Sequence, residues 1–389
     1  MKSIIINLIK TDVKRGNIMN ITFLIGNGFD RNLGLKTTYA DFVKYYKNTY
    51  AQTRVLQNFR KHIKDNEELW SAAEIALGQY TSQFGKGEAV TFTECQTDFC
   101  EFLAEYLKKQ ENIVDYEESK EQILKAFARI NQTMETFPAQ ERITMNNVFQ
   151  KRTYENTTFN FICFNYTSTL DGCLSVVNEN SNVLGSHRYR NEVLNHSLGD
   201  ICHVHGTVKN SMVFGVNDES QIAKPEIFEC EDGDLYKNLL IKVNANASYL
   251  ENTDYNAKSI LQNSNLIYVY GMSIGETDKL WWERISDWLS NSSEHHLIVQ
   301  KHHMPTKSVF PIKYQLAERK AKRDITKYST LEQSKKNIIE SRIHITDENI
   351  FEDIKSIAER KLKTSKTFAE ALEEFEKNLR ENEKELVHS

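Results

Sequence analysis

Proline is scarce in this 389-residue chain, with four in all, and glycine is held to fifteen. So few breakers favour long regular elements over a loop-rich fold. The six cysteines, Cys95, Cys100, Cys163, Cys173, Cys202 and Cys230, include no C-x-x-C pair. That spacing argues against a zinc ribbon and leaves reduced thiols in a cytoplasmic protein as the plain expectation. A basic excess is missing too: 49 Lys and Arg stand against 54 Asp and Glu, a formal net charge of −5. Nothing in that balance points to nucleic acid or an anionic membrane as partner, though a total does not exclude a local basic groove. No run approaches the roughly 20 apolar residues of a membrane span. The opening "MKSIIINLIK" lacks a small-residue cleavage site behind its apolar run, so a secretory signal is not expected.

What is present is core-forming material. Twenty Phe and seventeen Tyr, in a chain 40% hydrophobic, are enough for one large domain or two ordinary ones. Residues 1–18 read as an N-terminal extension with Met19 as the expected start, because "NITFLIG", residues 20–26, follows directly and is apolar on both faces like a buried strand. From about 43 to 150 the apolar residues fall at three and four spacings, as helices require. Beyond Arg152 the texture changes: "TTFNFICFNYT", "DICHVHGTV", "SMVFGVND", "SNLIYVYGMS", "EHHLIVQ" and "RIHIT" read as strands, with helical stretches such as "GDLYKNLLIKVNANASYLEN" between them. The expected architecture is α/β, a Rossmann-like and mainly parallel sheet over 19–350 with a large helical insertion after the first strand. Helices over 351–389 end it, with Phe368, Leu372, Phe375 and Leu379 forming an apolar stripe suited to the core or to a second copy.

Four stretches carry chemistry. "GNGFD" places Gly26 and Gly28 after a buried-type strand, where a tight turn lets main-chain N–H groups face a phosphate. Alone, a G-x-G after a strand is more often just a turn. "FNYTSTLD" puts Asn165 at a strand end, either at the ligand edge of a sheet or as the cap of a helix starting near Thr167. "HVHGTV" sets His203 and His205 on one strand face with Gly206 behind the second, and offers no third metal ligand at a convincing spacing. His295, His296, His302 and His303 read as surface residues flanking a strand. "VYGMSIGETDKLWWERI" repeats the strand, glycine and helix plan, with Gly271, Ser273 and the acids Glu276 to Asp278, which either stabilise the helix start or hold a ribose hydroxyl.

Taken together and in order, these stretches resemble the sirtuin-like NAD-binding superfamily. More closely, "LIGNGFDRNLGLKTTYADF", "WSAAEIALG" with Glu74, "FNYTSTLD", "HVHGTVKNSMVFGVND" and "VYGMSIGETD" are similar to the AbiH family of bacterial phage abortive-infection proteins. The resemblance implies an NAD site in which Asn165 and His205 act beside the nicotinamide ribose. Gly26, Asn27 and Gly28 would cradle the pyrophosphate, with Phe29 and Asp30 behind them. Gly206 would stand next to the histidine, and Gly271, Ser273 and Asp278 on the adenosine side. Asp30 departs from the residue sirtuins usually carry. A true sirtuin deacylase also has a four-cysteine zinc module, which this chain lacks, so the implied reaction is hydrolysis of NAD to ADP-ribose and nicotinamide, with no metal expected.

Two other readings stay open at this point: a nucleotide or ADP-ribose sensor without turnover, and a metal-dependent nuclease using Asp30, Asp278 and a histidine. The implied partners are NAD or a related nucleotide, with room for a phage-derived trigger and a homo-oligomer. Neither a membrane nor nucleic acid is expected.

Overall fold

The computed structural model describes residues 18–132, 137, 141–143, 145, 152–248 and 252–359. Among them one sheet holds seven strands: β1 (Ile18–Ile25), β2 (Asn156–Cys163), β3 (Ser186–Tyr189), β4 (Glu192–His203), β5 (Leu266–Tyr270), β6 (His296–Gln300) and β7 (Ile343–Thr346). Their order is β3-β4-β2-β1-β5-β6-β7, and every neighbouring pair is parallel except the β3–β4 hairpin at one edge. The chain therefore builds outward from β1 through β2 to β4, then crosses back to β5 and builds outward on the other side. Numbered by themselves, the parallel strands run 3-2-1-4-5-6.

The apolar run of β1 explains why it lies at the centre. Phe23, Leu24 and Ile25 are wholly buried, and a strand apolar on both faces needs a layer on each. Phe23 and Ile25 pack in a layer with Phe29, Phe127 and Phe351, while Leu24 faces the opposite layer with Trp282 and Leu289. The Phe23 ring lies 5.4 Å from Phe161 on β2 and 5.4 Å from Tyr268 on β5, fixing three strands side by side. Buried Thr22, beside this run, is satisfied by the Ser264 hydroxyl at 2.6 Å.

Between β1 and β2 the described chain is helical, with helices at Tyr39–Tyr46, Arg54–Asp65, Ala73–Tyr80, Ala89–Glu111 and Lys120–Ala128 among others. Thr38 and Thr53 open two of them by accepting the N–H groups of Asp41 and Leu56. Buried positions 92, 95, 99, 103 and 107 along Ala89–Glu111 show the expected stripe. This region forms its own core around Phe42, Tyr46, Phe59, Trp70 and Phe99, to which Tyr166, Val208 and Phe214 from beyond the sheet contribute.

Several expectations need correction. β4 starts eight residues before "DICHVHGTV" and stops at His203, so His205 lies in the following turn and does not share a strand face with His203. "SMVFGVND" forms no strand; Val216 makes a single bridge to Ile241. That bridge also divides the anticipated helix at 233–252 into Gly233–Leu240 and Lys242–Ser248. The β3–β4 hairpin was not anticipated, since an edge ribbon half open to water needs no apolar run. His296 is buried in β6 against His344, and His295 stacks on Trp288, so only His302 and His303 of the four histidines are exposed. Of the expected extension at 1–18, residues 1–17 lie outside the described residues and Ile18 opens β1; the stripe at Phe368, Leu372, Phe375 and Leu379 also lies outside them. No helix among the described residues is long and apolar enough to cross a membrane.

Candidate functional site

Open α/β sheets gather ligands beyond the carboxyl ends of their strands, at the point where the chain switches sides. Here that point lies between β1 and β5, and the two glycine turns follow these strands. The turns are pressed together: the Gly26 N–H donates to the Tyr270 carbonyl and the Gly28 N–H to the Gly271 carbonyl, each at 2.9 Å. Gly271 adopts φ +69°, and a Cβ built on Gly28 would lie 2.4 Å from its Cα. These glycines are thus required by the mutual approach of two backbones, and both N–H groups are already engaged. Of the three residues expected to face a phosphate, Gly26 and Gly28 spend their N–H groups on this contact, and Asn27 has no main-chain N–H hydrogen bond among the described residues. The Asn27 side chain is itself tied to Thr37, donating to its carbonyl and accepting its hydroxyl.

Below the turns opens a cavity of about 980 Å³, in the range of roughly 300–1,000 Å³ typical of small-molecule sites. Gly26, Asn27, Gly28, Asp30, Asn165, His205, Gly271, Ser273 and Asp278 all line it. Two of the anticipated residues do not. Phe29 is fully buried and packs edge-on against Phe351 at 5.2 Å, so its role is in the core. Gly206, at φ +65°, is confined by the Ser211 carbonyl, which a Cβ would meet at 2.1 Å.

Asn165 follows β2 by two residues and is 6% exposed, yet its amide oxygen has no hydrogen-bond partner, and its amide nitrogen meets none at hydrogen-bonding geometry although the amide lies close enough to the Asp30 carboxyl to lower its pKa. It does not cap the next helix, whose cap position is Ser168. An unpaired buried amide is costly, which makes it a mark of a site rather than of a scaffold. His205 is half-buried between Phe164 and Tyr166, and its Nδ1 is likewise buried without a partner. Burial, reinforced by the Lys242 charge, holds its pKa well below 6.5. The imidazole is therefore neutral at physiological pH. His203 turns elsewhere, pairing with Asp171 at 2.9 Å.

Asp30, 1% exposed, accepts hydroxyl hydrogen bonds from Thr167 and Thr169. Burial outweighs those bonds and the nearby Asn165 amide, raising its carboxyl to about 6. Asp278 accepts from the Ser273 hydroxyl at 2.7 Å and is also raised to about 6, chiefly by desolvation.

A second buried charged group in the cavity was not anticipated as a unit. Lys242 and Glu74, 3% and 7% exposed, pair at 2.8 Å. Glu74 also accepts the hydroxyls of Tyr39 at 2.9 Å and Tyr166 at 3.3 Å, and Tyr166 donates to the Val213 carbonyl as well. This network joins the helical region to the sheet's ligand edge. Glu74 and Tyr39 stand inside two of the stretches that carry the family resemblance. For Lys242 the available signal was a lone cation in the apolar run "LLIKV". Among the described residues no three or more His, Cys, Asp or Glu side chains are grouped to hold a metal ion, and Asp30 and Asp278 form no such set with a histidine.

A family model described as bacteriophage abortive infection AbiH matches residues 22–299, well over half of the chain. The search of curated proteins finds no match.

Proposed function

Since the chain belongs to the AbiH family of bacteriophage abortive infection proteins, we propose that it serves phage defence as an NAD glycohydrolase with a Rossmann-like, sirtuin-like nucleotide site. The observation that carries this reading is the pair Asn165 and His205, whose unpaired buried polar atoms stand at neighbouring strand ends over one dinucleotide-sized cavity. The 3-2-1-4-5-6 order and its switch-point crevice support a dinucleotide lying across the strand ends.

In this reaction the bond between ribose C1′ and the nicotinamide nitrogen breaks. Its electron pair leaves with the ring, which becomes neutral. Water supplies the new C1′–O bond and gives up one proton. Asn165 would hold the water or a ribose hydroxyl through its free amide. His205, kept in its neutral form, would accept the proton. Asp30, ionised above about pH 6, would place negative charge near the cationic ribose centre. A phage-derived trigger and assembly of several copies belong to the same proposal as its control.

One observation favours a second reading, a nucleotide or ADP-ribose sensor. With its pKa held well below 6.5 by burial and the Lys242 charge, His205 is a weak base. Purified protein incubated with NAD, with and without phage lysate, separates the two: nicotinamide and ADP-ribose appear for a hydrolase, and binding without product marks a sensor.

A further inference from the structure

The far end of the cavity differs in character from the end that holds His205. In the row of strand ends, His205 follows β4 and Gln300 closes β6, four strand spacings away, or about 19 Å. Gln300 is 4% exposed and its side-chain carbonyl oxygen is buried with no hydrogen-bond partner, while its amide nitrogen faces His302 Nδ1 at 3.4 Å. Around it the cavity is lined by Arg31, Lys301, His302, His303 and Lys355. Burial, then the charges of His303, Arg31 and Lys355, lower the pKa of His302, as expected where cations crowd together. Of the acids at this end, Glu352 is already paired with Lys355 at 3.0 Å, and Asp324 lines the wall. The side chains of Arg31 and Lys301 have no hydrogen bond or ion pair among the described residues. A net acidic chain has thus collected unpaired cations at one end of one cavity, beside a buried acceptor suited to a ribose hydroxyl or a ring amine.

We propose that this end receives a phosphomonoester on the ribose farthest from the reacting bond, so that the preferred substrate is the 2′-phosphorylated dinucleotide, NADP, rather than NAD. The assignment rests on a dinucleotide spanning the cavity as proposed above. Arg31 and Lys301 would bind the phosphate oxygens, and Gln300 would fix the ring or ribose between that phosphate and the glycine turns. With NAD the same cations would face only a hydroxyl.

Calorimetry on the full chain tests this with adenosine 2′,5′-bisphosphate, adenosine 3′,5′-bisphosphate and adenosine 5′-monophosphate. The 2′,5′-bisphosphate should bind about tenfold tighter than the monophosphate, the gain from one or two charge-assisted contacts. The double variant Arg31→Gln with Lys301→Gln should erase most of that difference. Equal affinities in the wild type, or a difference that the variant leaves intact, would overturn the assignment. A 3′,5′-bisphosphate binding as tightly as the 2′,5′ compound would overturn the choice of position. Rates on NAD and NADP are read separately. If neither is cleaved, the hydrolase reading fails while the bisphosphate affinities still decide this one. If NAD is cleaved as fast as NADP and no affinity difference is seen, only this assignment fails.

Discussion

Gly28 and Gly271 lie back to back, the N–H of the first donating at 2.9 Å to the carbonyl of the second, with 2.4 Å between a Cβ built on Gly28 and the Gly271 Cα. The contact joins the turn after β1 to the turn after β5 and so sets the spacing of the crevice beneath them. A side chain at either position has only backbone to displace.

Gly28→Val is therefore expected to destabilise the fold, and not merely to block a ligand. Overpacking of this kind typically costs about 1–3 kcal/mol, and a rigid backbone neighbour favours the upper end. The midpoint of urea unfolding should fall accordingly. An unchanged midpoint with lost nucleotide binding would instead restore the simple picture of a glycine making room for phosphate.

The Glu74–Lys242 pair is buried on both sides, so removing one partner strands the other. Glu74→Gln should cost roughly 3–5 kcal/mol, while Glu74→Gln combined with Lys242→Met should recover most of the loss. Equilibrium unfolding of both variants checks this. Equal losses in the single and double variants would mean that packing, not charge, governs the site.

Asp30 gives stability a pH dependence whose sign is fixed. Its carboxyl titrates at about 6 in the fold against 3.8 when exposed, so the folded state holds the proton more tightly between those values. Stability must fall as pH rises through that window, and the penalty is complete above it. Relative to Asp30→Asn, the wild type should lose on the order of 2–3 kcal/mol between pH 4 and pH 7. A difference between the two proteins that stays flat over this range would contradict the burial argument.

Much of this layout was legible in the sequence where a local pattern had one physical cause. "NITFLIG" is apolar on both faces and is the central strand; the three-and-four spacing before residue 132 is helical. Asn165 and Ser273 could be placed at strand ends because each follows an apolar run, and they share one cavity with His205, which was expected on the strand itself. What could not be read depends on partners distant in sequence. Lys242 and Glu74 lie 168 residues apart, and nothing near either shows that they meet. The steric need for Gly28 is invisible locally because Gly271, its partner, comes more than 200 residues later. The mostly polar β3–β4 ribbon, in whose paired segment Leu194 alone is buried, carries little burial signal, being held by register along a sheet edge.

The central claim is that Asn165 and His205 act on the ribose of a bound NAD. Its most direct test is nicotinamide release by the purified wild type and by Asn165→Ala and His205→Ala, assayed with phage lysate present and with folding checked by circular dichroism. Wild type should release nicotinamide and ADP-ribose in equal amounts, and each variant should be slower by roughly 10²–10⁴. A folded His205→Ala protein that cleaves at the wild-type rate would contradict the account.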